Sequence, residues 1–213
     1  MSRAPVKQTL TIPGPAGGLE ALVEAPAGAG PERMAILCHP HPQFQGTMHN
    51  KVVHTLARAM NDLGIAAMRF NFRGVGASQG SYGEGHGEVE DIYAVADYVR
   101  QHWPGASIWL AGFSFGAVVS ARAAQQVAPL QLISVAPAVN VLGRELQEIP
   151  AMPWLIVQGD ADEVVPEAEV AGWVNGLEPQ PDYIVMPGVG HFFHGHLLDL
   201  RTLLINHLQS TDE

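Results

Sequence analysis

Apolar residues in this chain fall into short continuous runs, separated by stretches in which they recur every three or four positions. Met34–Cys38 (MAILC), Ile65–Phe72 (IAAMRFNF), Ser107–Phe113 (SIWLAGF), Leu132–Ala138 (LISVAPA), Pro153–Gly159 (PWLIVQG) and Asp182–Gly188 (DYIVMPG) have the length and apolarity of strands buried on both faces. Between them, Val52, Leu56, Met60 and Leu63 predict a helix over Asn50–Leu63, capped by Asn50 and closed by Gly64. Val89, Ile92, Ala96 and Val99 mark one face of a second helix. The Ala/Val-rich segment after Ser114 predicts a third, packed tightly on a sheet. Leu197, Leu200, Leu204 and Leu208 point inward from a last helix over His194–Leu208. Ahead of these, QTLTIPGPAGGLEALVEAP reads as two strands around a Gly/Pro turn at Pro13–Gly18, an antiparallel edge pair.

Strands alternating with helices predict an α/β fold, a mostly parallel central sheet flanked by helices on both faces. No internal repeat or low-complexity linker interrupts the pattern, so residues 1–213 read as a single domain. Between LISVAPA and PWLIVQG only VNVLGRELQEIPAM intervenes, too short for a lid domain. Ligands of such sheets bind at the carboxyl ends of the strands. Candidate chemistry is therefore sought just after each apolar run.

Charge and cysteine content narrow the function classes. A formal net charge of −10 argues against nucleic acid or an anionic membrane as partner. A lone cysteine, Cys38, forms no intrachain disulfide and fits a reducing compartment. The N-terminus lacks a signal-peptide apolar region, and no run approaches the ~18 apolar residues of a membrane span. A cytoplasmic protein is expected. Oligomeric state stays open.

The stretch AGFSFGA follows the SIWL run, and Gly112-Phe113-Ser114-Phe115-Gly116 matches the nucleophile elbow, a strained strand-to-helix turn that lifts a serine hydroxyl to the surface. A serine needs a base and an orienting acid to become a nucleophile, and in this arrangement they follow in the order Asp/Glu, then His. PWLIVQGDADEVVP offers Asp160, Asp162 and Glu163, with Asp162 favoured and Asp160 the rival, more simply a turn residue bonding nearby amides. DYIVMPGVGHFFHG supplies His191, while His194 and His196 read as surface or helix-cap residues. An oxyanion hole would combine the N–H of Phe115 with one from the CHPHPQFQGTMHN loop. Pro40 and Pro42 have no N–H, leaving His41, Gln43 and later residues, with His41 preferred. Gln43, Phe44 and Phe113 are the expected substrate contacts. His39 is expected to brace the loop through backbone groups.

Other readings compete. His39 with His41, and His191, His194 and His196, could suggest zinc, but both clusters fall where active-site loops are expected, so no metal and no cofactor is assigned. GVGASQG lacks the G-x-G-x-x-G spacing of a dinucleotide loop and reads as an active-site rim. Arg73 is expected in a structural salt bridge rather than on an acidic substrate, and Cys38 in a buried strand.

Together, LCHPHPQFQGTMHNKVVHTLARA, RFNFRGVGASQG, AGFSFGA, QGDADEVVP and GVGHFF resemble the small bacterial α/β-hydrolases related to dienelactone hydrolase, from Ala35 to His194. The resemblance implies an α/β-hydrolase sheet with Ser114, Asp162 and His191 as triad. Dienelactone hydrolase itself uses a cysteine nucleophile where this chain has Ser114, so lactone chemistry is not carried over. The expectation is a capless serine hydrolase acting on a small-molecule ester or related acyl bond. The alternative is a non-catalytic binding or scaffold protein of the same fold.

Overall fold

The computed structural model describes residues 6–26, 30–142 and 152–210. Its elements run β1 (Val6–Gly14), β2 (Gly17–Ala25), β3 (Arg33–Cys38), α1 (Lys51–Asp62), β4 (Ala66–Phe70), α2 (His86–His102), β5 (Ser107–Phe113), α3 (Phe115–Val127), β6 (Gln131–Val135), α4 (Val139–Leu142), β7 (Trp154–Gly159), α5 (Glu167–Val174), β8 (Asp182–Met186) and α6 (Leu197–Ser210). Successive side chains of a strand point to opposite faces, and here both faces are apolar. In β3, Met34, Ile36 and Cys38 join one core while Ala35 and Leu37 join the other. Likewise in β5, Ile108 and Leu110 face the α2, α3 and α5 side, and Trp109, Ala111 and Phe113 face α1 and α6.

The strands form one eight-stranded sheet in the order β1-β2-β4-β3-β5-β6-β7-β8. From β4 to β8 the neighbours pair in parallel, and β2 runs antiparallel to both β1 and β4. This is the α/β-hydrolase architecture, and the predicted edge hairpin is present. Pro13 is tolerated in β1 because that strand is an edge. Among the described residues, no helix is long and apolar enough to cross a membrane.

Some boundaries differ from the pattern-based expectation, for physical reasons. The last helix starts at Leu197 rather than His194, because Phe193 and Gly195 sit at φ 53° and 81°, outside helical space. Strand β4 stops at Phe70, and Phe72 turns into the core instead of extending the ladder. Helix α5 was not foreseen: only Val170 and Val174 are buried along it, one pair four residues apart and too little for a visible period. Of the VNVLGRELQEIPAM stretch, residues 143–151 lie outside the described residues.

One buried ion pair ties the antiparallel edge to the loop after β3. Arg69 on β4 donates to Glu24 Oε2 from Nε (3.1 Å) and Nη2 (2.7 Å), and from Nη1 to the Met48 carbonyl (2.8 Å). Lys7 approaches Glu24 Oε1 at 2.7 Å. Burial alone would raise the Glu24 carboxyl, but the hydrogen bonds and charges of Lys7 and Arg69 hold it below its ordinary value. Removing one partner leaves the other charge buried and unpaired. Glu24→Leu is therefore expected to cost about 3 kcal/mol or more by urea denaturation, with Glu24→Leu/Arg69→Met recovering most of it. A single-variant loss below about 1 kcal/mol would contradict this account.

Candidate active site

Ser114 connects β5 to α3 with φ 56° and ψ −116°, a combination a non-glycine residue adopts only when its surroundings enforce it. Its N–H donates to Val135 O (2.9 Å), and its carbonyl accepts from Ala117 (3.1 Å) and Ala138 (3.2 Å). The flanking glycines are required by contact. A Cβ on Gly112 would press on the Gly116 carbonyl, and one on Gly116 would press on the carbonyls of Cys38 and His39. Phe115 opens α3, so its amide is among those the helix geometry leaves without an intrahelical acceptor. The positive end of the helix dipole lies at the same place.

The loops after β7 and β8 bring the other two polar groups to Ser114. His191 Nε2 lies 3.0 Å from Ser114 Oγ, and His191 Nδ1 lies 2.8 Å from Asp162 Oδ2. Asp162 Oδ1 accepts the amides of Val164 and Val165, both at 2.8 Å, and Oδ2 also accepts Gln158 Nε2 at 2.9 Å. Burial pushes the Asp162 carboxyl up, but His191 and those amides outweigh it and hold the group below its ordinary value. An ionised Asp162 accepts the Nδ1 proton of His191, leaving Nε2 free to accept from the Ser114 hydroxyl. Asp160 is turned elsewhere, its Oδ1 accepting the Gly188 amide at 2.6 Å.

The loop after β3 folds over this line. His39 is fully buried: its Nδ1 donates to the Pro40 carbonyl (2.6 Å) and its Nε2 accepts the Phe72 amide (3.1 Å), bracing the loop as expected. His41 Nδ1 accepts the Gln43 amide (3.2 Å), which puts its proton on Nε2, toward the Tyr82 hydroxyl at 3.2 Å. Its ring packs against Phe44, Tyr82 and Phe115 at centroid distances of 4.7, 5.1 and 4.8 Å. Arg73 pairs with buried Asp91 at 2.8 Å and anchors the other rim loop to α2. Ser114 and His191 open on a cleft of about 330 Å³, flanked by the 40–50 loop, Val164 and Phe192, with no Asp, Glu, Lys or Arg among the described residues that line it.

Comparison with known proteins places the chain. The family profile of serine aminopeptidases, S33, matches residues 45–149. A solved α/β serine hydrolase homologue from Coxiella burnetii is 51% identical, covers 94% of this chain and 97% of its own, and superposes with a TM-score of 0.90. This chain belongs to the α/β serine hydrolases. A lidless α/β serine hydrolase from Xanthomonas campestris is 46% identical over 96% of this chain and 94% of its own, also with a TM-score of 0.90. Dienelactone hydrolase from Anabaena variabilis shares the fold at 14% identity and a TM-score of 0.80, over 96% and 97% of the two chains.

Within this α/β serine hydrolase, Ser114, His191 and Asp162 meet, and Phe115, His41 and Phe44 surround them. Two expected substrate contacts do not reach the cleft. Phe113 is fully buried, its ring 5.1 Å from that of His191, so it supports the histidine from below. Gln43 is exposed outside the lining, and its amide is already donated to His41. Conversely, Phe192 and Val164 line the cleft and were not anticipated, although each neighbours a singled-out residue. His194 packs on Phe192 and His196 bonds Asp199 at 3.0 Å, and neither is among the residues lining the cleft. Burial also raises the pKa of the Cys38 thiol, which suits a strand residue. Among the described residues, no group of three His, Cys, Asp or Glu is arranged to hold a metal ion.

Burial pushes His39 down to about 4, so it stays neutral in the fold where an unfolded imidazole would already be charged. Its contribution to stability is complete above about pH 6.5 and is lost as the pH falls through the folded value, on the order of 3 kcal/mol in all. Parent stability measured in urea is expected to fall over that window, with His39→Asn flattening the slope. A variant with the parental slope would assign the acid sensitivity elsewhere.

Proposed function

We propose that this hydrolase cleaves a carboxylic ester or related acyl bond through an acyl-enzyme on Ser114. What carries the reading is the continuous line from Asp162 Oδ2 through His191 to Ser114 Oγ, 2.8 and 3.0 Å in its two steps, at the mouth of an apolar cleft. His191 Nε2 takes the Ser114 proton as Oγ attacks the substrate carbonyl carbon. The oxyanion so formed meets the N–H groups of Phe115 and His41, with the α3 dipole behind the first. Collapse breaks the bond to the leaving group, which departs with the proton from Nε2. Water then gives a proton to His191 and attacks the acyl carbon, and a second collapse releases the acid and returns the proton to Ser114. Asp162 stabilises the imidazolium at each stage. No cofactor enters these steps.

Among the described residues the lining is uncharged, which supports a neutral acyl substrate, with Phe44 beside it. A buried carboxylate there would lose its water without gaining a counter-ion from those residues. The lone Cys38 fits a cytoplasmic setting.

Turnover of a neutral p-nitrophenyl ester tests the reading. Ser114→Ala is expected to lose activity, and Asp162→Asn to remain folded while losing roughly 10⁴ in kcat. A matched ester carrying a carboxylate should react at least about tenfold more slowly in kcat/KM. Near-parental turnover in Asp162→Asn would remove that residue from the mechanism.

A further inference from the structure

Behind Asp162 lies a polar side chain that the scheme above does not use. Gln158 stands next to last in β7, with no exposure to solvent. Its Nε2 is surrounded by acceptors: Asp162 Oδ2 at 2.9 Å, the Val165 carbonyl at 3.0 Å and the Gly159 carbonyl at 3.4 Å. The three together fix which end of the amide is nitrogen. Its Oε1 is buried without a hydrogen-bond partner among the described residues. Strand stability does not explain this arrangement, since an apolar residue of similar length would fill the core without stranding an acceptor. What Gln158 alone supplies is a donor to the same carboxylate oxygen that faces His191 Nδ1.

We infer that Gln158 is a positioning residue for Asp162: it pins the carboxylate so that Oδ2 meets His191, and it limits how strongly that oxygen draws on the Nδ1 proton. The inference rests on reading Ser114, His191 and Asp162 as a relay. Asp162 is held from both ends, Oδ1 by the Val164 and Val165 amides and Oδ2 by Gln158. With the Gln158 donor removed, Oδ2 carries more uncompensated charge, and the protonated form of His191 is favoured. The other groups facing His191 remain in place: Ser114 on Nε2, Glu163, whose Oε2 accepts the His191 amide at 3.4 Å, and His41 in the same cleft.

The rate of fluorophosphonate labelling against pH tests this without knowledge of the substrate. On the parent, the rate should rise with pH to a plateau. Gln158→Met keeps length and shape but donates nothing. Its rising limb should move up by about half a unit to one unit, and its plateau rate should fall about three- to tenfold. Gln158→Leu also lacks a donor, so its limb should move in the same direction. It also carries the test if the methionine variant does not fold. Parental limbs in folded variants would overturn the inference, as would a lower plateau with an unmoved limb, the mark of packing alone. A parent that takes no label would overturn the relay itself, a different failure from a labelled parent with indifferent variants.

Discussion

At Ser114 the backbone is held at φ 56° and ψ −116°, and nearly every other feature of the site serves or exploits that conformation. Such strain costs of order 1–3 kcal/mol and persists only where the surrounding structure over-determines it. Here β5 is buried from Ile108 onward, α3 is almost wholly buried behind it, and the Ser114 carbonyl is held by amides of α3 and of the loop after β6. The turn closes only because Gly112 and Gly116 carry no Cβ. The Gly116 contact with the carbonyls of Cys38 and His39 also sets how near α3 sits to the end of β3. Ser114 and the loop after β3 are thereby fixed relative to each other by one tight turn.

Polar groups around the turn are kept neutral or fully bonded, as a low-dielectric site demands. His39 is uncharged and spends both ring nitrogens on backbone groups. Asp162 is the buried charge next to His191, and donors meet both of its oxygens. Among the described residues, the cleft beyond adds no further charge. In the proposed reaction, a developing oxyanion would find oriented amides and a helix end instead of mobile counter-ions, which is where preorganised electrostatics act most strongly.

Much of this was legible in the chain because the polar residues stand directly after apolar runs. Ser114, Asp162 and His191 each follow a strand, and a parallel sheet gathers such loops at one edge. Facing was harder to read. Phe113 lies beside Ser114 in sequence, yet the two-residue alternation of Trp109, Ala111 and Phe113 sends it into the α1/α6 core. Phe192, next to His191, reaches the cleft instead. Gln158 left a faint mark, a polar residue closing the run WLIVQG, but its role depends on a contact that only the folded chain creates. The start of α6 was hidden because positive φ at Phe193 is imposed by tertiary packing rather than by local preference.

The most direct test of the central claim is the intact mass of the protein after fluorophosphonate treatment, followed by peptide mapping of the adduct. One adduct per chain, carried by Ser114 and absent from Ser114→Ala, is the predicted result. An unmodified folded protein, or an adduct carried by another serine such as Ser78 or Ser120, would contradict the account.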